Sequence, residues 1–195
     1  MKGQTLQEWA GASRIFALVF TDIVDSTKLA SELGDERWID LFLKHCARAR
    51  ELMPKYNGHE IKTIGDSFMV IFRTALDAMD FLLALVSDTG DERLRIRAGI
   101  HVGSARIIGD DIFGNMVNYT KRVEGTDLPV AIRLSDAAKN QITDEKAERH
   151  SRLSFHPLEV EFKGFTEPQR IWAVFTPRDV FMIGTEALIN SWRRS

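Results

Sequence analysis

The sequence is short of sulfur bridges, long apolar runs and charge imbalance, and each shortage excludes something. A single cysteine, Cys46, leaves no partner for an internal disulfide and fits a reducing, cytoplasmic setting. It falls among helix-patterned residues and reads as structural. No hydrophobic run reaches the length of a bilayer span, and the first thirteen residues, "MKGQTLQEWAGAS", lack the apolar core of a signal peptide. A net charge of −2 gives no general reason to bind nucleic acid or an anionic membrane. There are no repeats, low-complexity tracts or obvious linkers. What is present is a globular composition, 44% hydrophobic and 28% charged over 195 residues, enough for one domain with a sizeable core and short extensions.

The order of elements is legible from periodicity. "RIFALVF" is an unbroken apolar run with the pattern of a strand covered on both faces. "STKLASEL" predicts a short helix, and "GDERWIDLFLKHCARARELMPKY" a longer one with Trp38, Phe42, Cys46 and Ala49 on one stripe. Asp35 is its expected N-cap, and Asn57-Gly58 follows Pro54 as a stop signal. "EIKTI" and "SFMVIF" form a hairpin about Gly65-Asp66. Thr74 and Asp77 stand at capping-box spacing ahead of a predicted helix.

"LRIRAGIHV" and "ARIIG" then read as strands, "FGNMVNYTKRVEG" as a helix closed by Gly125, and "VAIRLS" as a strand. A helix from Ser135 to Ile142 and the strands "LEVEFKG" and "QRIWAVF" complete the series. The tail "TPRDVFMIGTEALINSWRRS" holds a short amphipathic helix. Strand, helices, strand, strand, helix, strand is the split βαβ, ferredoxin-like plan, so the expected fold class is α/β (α+β), with helices on one face of a mixed sheet.

The hairpin tip raises the functional question, because Asp66 stands there and Lys62 four residues before it. The first strand ends in "FTDIVDST", which puts Asp22 where a central strand stops and a helix begins. The split βαβ plan makes that strand and the hairpin neighbours, so Asp22 and Asp66 are expected to converge. Two such carboxylates repel unless a cation lies between them, and oxygen-only ligands select Mg²⁺ or Mn²⁺. The turn from Ile23 to Thr27 leads into a helix N-terminus, whose free N–H groups and dipole favour phosphate. Asp25 or Ser26 can instead cap that helix. Metal beside a phosphate cradle is the layout of two-metal phosphoryl chemistry.

Four segments in order resemble the class III nucleotidyl cyclase catalytic domain, the adenylate and guanylate cyclase family. "FTDIVDST" and "IKTIGDSFM" are similar to its two metal motifs. "DIFGNMVNYTKR" resembles its stretch of base-selecting and transition-state residues, and "VEFKGFTEP" its phosphate-binding lysine segment. The resemblance covers residues 14–175 as a palm-like catalytic domain, leaving 1–13 as an N-terminal extension and 176–195 as a tail. It implies that Asp22, Asp66 and the Ile23 carbonyl bind two Mg²⁺ or Mn²⁺ ions. Lys62 and Asp111 would read the base, Asn118 orient the ribose, Arg122 face the reacting phosphate, and Lys163 hold the terminal phosphates, with Thr27 in the phosphate-binding turn. It also implies a homodimer with composite sites, the metal pair from one subunit and the remaining residues from its partner.

A lysine donor beside an aspartate acceptor matches adenine and mismatches guanine, so ATP is the expected substrate and 3′,5′-cyclic AMP with pyrophosphate the products. Asn118 and Arg122 lie at i and i+4, on one helix face. His59 and His101 read as packing or surface residues. The alternatives are a guanylate or mixed cyclase, and a silent cyclase-like domain that dimerises or binds nucleotide; an unidentified regulatory partner fits any of the three. Where better-known members carry a longer dimerisation arm, only "SARIIGD" stands here, as in bacterial branches. "TDLPVAIRLSDAAKNQI" also departs from the family pattern and places Arg133, with no evident role, inside a strand.

Overall fold

In the computed structural model, which describes residues 4–144 and 150–176, the first apolar run becomes the middle of the molecule. Strand β1 (Ile15–Ile23) is buried along nearly its whole length, because alternate side chains serve two different cores. Ala17, Val19 and Ile23 point into one, and Phe16, Leu18 and Phe20 into the other. A strand sandwiched in this way has no polar face to show, hence its continuous hydrophobicity.

β1 pairs antiparallel with β3 (Ser67–Phe72) on one side and with β4 (Ile96–Ser104) on the other. β2 (Gly58–Ile64) completes the hairpin at one edge. Beyond β4, β7 (Ile132–Ser135) lies parallel, followed by β9 (Gln169–Phe175) and the edge strand β8 (Ser154–Val160). The seven-stranded order β2-β3-β1-β4-β7-β9-β8 contains the expected split βαβ core in its first four strands. β5 (Arg106–Ile108) and β6 (Asp111–Phe113) form a separate two-stranded ribbon; only the first of these was expected as a strand.

The first core takes α2 (Ser26–Leu33), α3 (Asp35–Lys55), α4 (Ala75–Ser87) and α6 (Asp136–Asp144). The sequence predicts helices on this face alone, and the structure departs from that. α1 (Leu6–Ala10) and α5 (Asn115–Glu124) pack on the opposite face, with Leu6, Trp9 and Met116 against Phe16 and Leu18. The N-terminal stretch, expected only as an extension, therefore contributes to the second core. Thr5 caps α1 in a reciprocal pair with Glu8, and Arg73 lies over the Trp9 ring at 4.9 Å.

Two expected caps differ in detail. Gly34, with φ of 76°, caps α3, and Asp35 is its first helical residue, an acidic group suited to the helix dipole. Asp25 holds the cap position of α2 in a left-handed conformation without a side-chain cap bond, and its carboxylate pairs with Arg95. The Thr74 cap of α4 is present, its hydroxyl accepting from the Asp77 N–H at 3.0 Å. The tail helix expected after Thr176 lies outside the described residues.

One glycine decides where α5 sits. A Cβ placed on Gly99 of β4 would stand 2.4 Å from the Glu124 backbone nitrogen. The helix backbone cannot yield there without moving the whole element. Gly99→Ala is expected to destabilise the protein by about 1–3 kcal/mol, as overpacking of a close contact does, in urea or thermal unfolding. Unchanged stability would show that α5 is not held by this contact.

Candidate active site

The sheet sets Asp22 beside Ser67, the residue that follows Asp66. Past the last paired residues Phe20 and Met69, the Phe68 N–H donates to Thr21 Oγ1 at 3.3 Å. Ser67 Oγ then donates to Asp22 Oδ1 at 2.8 Å. Asp66 precedes Ser67 at the turn, where Gly65 takes φ of 62°. Ile23 closes β1 as a buried residue opposite Ile96.

Asp66 Oδ2 is buried and has no hydrogen-bond partner, a costly condition for a carboxylate oxygen unless something else binds there. The donor set is oxygen throughout, which fits a hard divalent cation. Among the described residues no group of three or more metal-ligating side chains occurs, so main-chain oxygen, water and phosphate would have to complete a shell, the usual arrangement for Mg²⁺. Nearby, His45 lies on α3 against the Phe68 ring, and burial pushes its imidazole down to about 4 despite the Asp66 charge.

Asp22 has a second partner that sequence reading missed. Arg97 Nη2 donates to Asp22 Oδ2 at 2.7 Å, and Arg97 Nε donates to Glu124 Oε1 at 2.6 Å. Burial opposes the Arg97 charge, yet these carboxylates hold its pKa above the ordinary value. The available signal was register: Arg97 is the β4 residue directly opposite Asp22. Arg133 is explained as well. Its buried guanidinium donates to the Ala131 and Leu128 carbonyls, and burial together with Arg97 pushes it down to about 10.

Lys62 and Asp111 meet as expected, Nζ to Oδ2 at 2.5 Å, joining β2 to the β5–β6 ribbon. Burial works against the Asp111 charge, but the hydrogen bonds from Lys62 and the Ile112 N–H, with the Lys62 charge, hold the carboxyl below its usual range. The pair is half-exposed, so a planar ligand could reach both groups.

Asn118 is exposed on α5, and Arg122 one turn later lies over the Phe165 ring at 5.3 Å. Phe165 and Gly164 adjoin Lys163 in the connection from β8 to β9, where Gly164 takes φ of 88°. Lys163 is exposed beside them. Thr27 is exposed in the first turn of α2. Among the described residues no hydrogen bond or ion pair joins Arg122 to Asp22 or Asp66. Asp22 thus binds Ser67 and Arg97, Lys62 pairs with Asp111, and Arg122 lies beside Phe165 and Gly164, with Arg97 and Glu124 linking Asp22 to the end of α5.

The histidines fall to packing. His101 Nδ1 lies 2.9 Å from Ser135 Oγ, its ring 4.6 Å from that of Tyr119, and burial pushes it down to about 4. His59 packs on Trp9. Cys46 is a buried free thiol pushed up by burial. A cavity of about 660 Å³ opens at the Ser104 end of β4, lined by Arg14, His101, Phe113 and Asn115, away from the aspartates.

Comparison with known proteins gives the family. Residues 12–172 match the family model for the adenylate and guanylate cyclase catalytic domain. A pH-sensitive adenylate cyclase of Mycobacterium tuberculosis is 31% identical over 134 residues, covering 68% of this chain and 34% of the relative. A receptor-type guanylate cyclase of Caenorhabditis elegans is 27% identical over 146 residues, covering 63% and 14%. The chain therefore spans about a third or less of these relatives. The crystal structure of the adenylyl cyclase CyaB from P. aeruginosa superposes with a TM-score of 0.69 at 25% identity, over 85% of this chain and 96% of that one. No helix of the described residues is long and apolar enough to cross a membrane. The chain belongs to the adenylate and guanylate cyclase catalytic domain family.

Proposed function

We propose that residues 14–175 form an adenylate cyclase domain, converting ATP to 3′,5′-cyclic AMP and pyrophosphate in a homodimer with composite sites. The observation that carries the choice of ATP is the Lys62–Asp111 pair, an ammonium donor and a carboxylate acceptor 2.5 Å apart. Adenine offers an amino donor and ring acceptors, and guanine an acceptor where adenine has its amino group. A site built to satisfy one pattern leaves buried polar groups unpaired with the other.

Asp22, Asp66 and the Ile23 carbonyl would hold two Mg²⁺ or Mn²⁺ ions. Such ions, when bound, lower the pKa of the ribose 3′-hydroxyl and neutralise the triphosphate. The chain's own side chains supply the rest. Asn118 of the partner protomer orients the ribose, so that its 3′-oxygen faces the α-phosphorus in line. Arg122, one turn along the same helix face, spreads charge from the phosphoryl oxygens as the P–O bond to pyrophosphate breaks. The Phe165 ring beneath its guanidinium restricts where that charge can go. Lys163 holds the terminal phosphates, and Thr27 with the α2 N-terminus cradles them.

Arg122 makes no hydrogen bond or ion pair with Asp22 or Asp66 of its own protomer among the described residues, which is compatible with a composite site in which a second copy supplies it. Lys62→Glu tests the substrate. It is expected to lower the ratio of kcat/KM for ATP over GTP by roughly 10² or more, since an acceptor replaces the donor facing adenine. An unchanged ratio, measured under equal Mn²⁺, would remove Lys62 from base reading.

A further inference from the structure

A carboxylate with no solvent exposure stands at the end of α5, where an apolar residue would complete the helix contact with β4. Glu124 is 0% exposed. An ionised group in that position persists only with partners that offset its lost hydration. Arg97 Nε supplies a hydrogen bond at 2.6 Å, and Lys121 Nζ lies 2.8 Å from the other oxygen. The same guanidinium then reaches Asp22 Oδ2 at 2.7 Å. Arg97 is thus shared between a buried carboxylate and one that is 20% exposed at the candidate metal site. Arg133, buried one strand away, repels Arg97 and attracts Glu124, so the surroundings hold more than one cation for Glu124 to balance.

We propose that Glu124 and Arg97 together set the affinity of the Asp22 site for divalent cation. A cation approaching Asp22 Oδ2 competes with Arg97 Nη2 for that oxygen, and it meets the guanidinium charge at short range. Glu124 opposes both effects, because its charge neutralises Arg97 and its hydrogen bond anchors the guanidinium at Nε. The buried carboxylate cannot turn to water, whereas Asp22 can exchange its partner. Both are positioning residues that act through Asp22. The inference rests on Asp22 being a metal ligand, as proposed above.

The two substitutions have opposite expected signs. Glu124→Gln keeps an amide oxygen for Arg97 Nε but removes the balancing charge, so cation affinity falls. Arg97→Gln removes the competing charge, so affinity rises. A purely structural role in holding α5 would weaken both. The test is titration of Mn²⁺ alone into the full-length protein, with free Mn²⁺ read by electron paramagnetic resonance and folding checked by circular dichroism.

The Mn²⁺ Kd is expected to rise about fivefold or more in Glu124→Gln and to fall by a similar factor in Arg97→Gln. Combining the two changes removes the competing guanidinium and its balancing carboxylate together and returns Kd near the wild-type value. That return decides the matter even if Arg97→Gln alone does not fold. Shifts in the same direction, or no shift while the wild type binds Mn²⁺, would overturn the proposal. If Asp66→Asn leaves Mn²⁺ binding untouched, the metal assignment itself is overturned and not merely this coupling.

Discussion

Asp66→Ala is expected to remove cyclic nucleotide formation while leaving the fold at or above wild-type stability. The combination is unusual for a partly buried residue, and it follows from the state of its oxygens. Asp66 Oδ2 is buried without a hydrogen-bond partner. Deleting an unsatisfied acceptor relieves a desolvation cost of roughly 1–3 kcal/mol that the folded protein otherwise carries. Asp22→Ala, also expected to abolish activity, is the less clean experiment. It severs bonds from Ser67 and Arg97 and leaves Arg97 with Glu124 alone. Loss of a metal-binding carboxylate should exceed the roughly 10–100-fold effect typical of losing an outer-shell partner. Thermal melts and product assays on the same preparations check both halves. Full activity in Asp66→Ala would end the metal assignment, and a large stability loss would show that Oδ2 has a structural partner.

Arg122→Ala is expected to lower turnover by about 10³–10⁵ while KM for ATP changes only a few-fold. The side chain is supported from one side, by Phe165 at 5.3 Å and the open edge of Gly164. It takes no part in the buried cluster of Arg97, Arg133 and Glu124, so its removal leaves the fold intact. An equal loss in turnover and binding would make it an ordinary phosphate contact. Mixing Arg122→Ala with Asp66→Ala adds a sharper check on the dimer. Heterodimers would hold one site with both defects and one with neither, restoring about a quarter of wild-type activity if subunits exchange at random in a two-fold dimer. No restoration after verified exchange would mean that both residues serve the same protomer's site.

How much was legible in the sequence depended on whether a feature was local. β1 announced itself because burial on both faces leaves no polar period, and Gly65-Asp66 announced the hairpin because the turn requires a left-handed glycine. Thr74 capped α4 where its spacing to Asp77 predicted. Lys62 and Asp111 are far apart in sequence and come together only through the family resemblance, and their ion pair needs the β5–β6 ribbon, whose second strand the sequence does not announce.

What stayed hidden was long-range and electrostatic. Arg97 lies in an alternating strand where an arginine reads as a solvated side chain, and Glu124 lies at a helix end where a carboxylate reads as surface. Their pairing follows from the approach of α5 to Gly99, which no local pattern encodes. The second helical face was missed for the same reason. Five residues of α1 carry too little periodicity to be distinguished from an extension, yet Leu6, Trp9 and Ala10 are buried.

The most direct measurement is incubation of the purified protein with ATP and Mn²⁺, followed by product identification by phosphorus NMR and chromatography. Appearance of 3′,5′-cyclic AMP and pyrophosphate in equal amounts is the predicted result. Formation of ADP and phosphate, or no turnover by protein shown to be folded and dimeric, would contradict it.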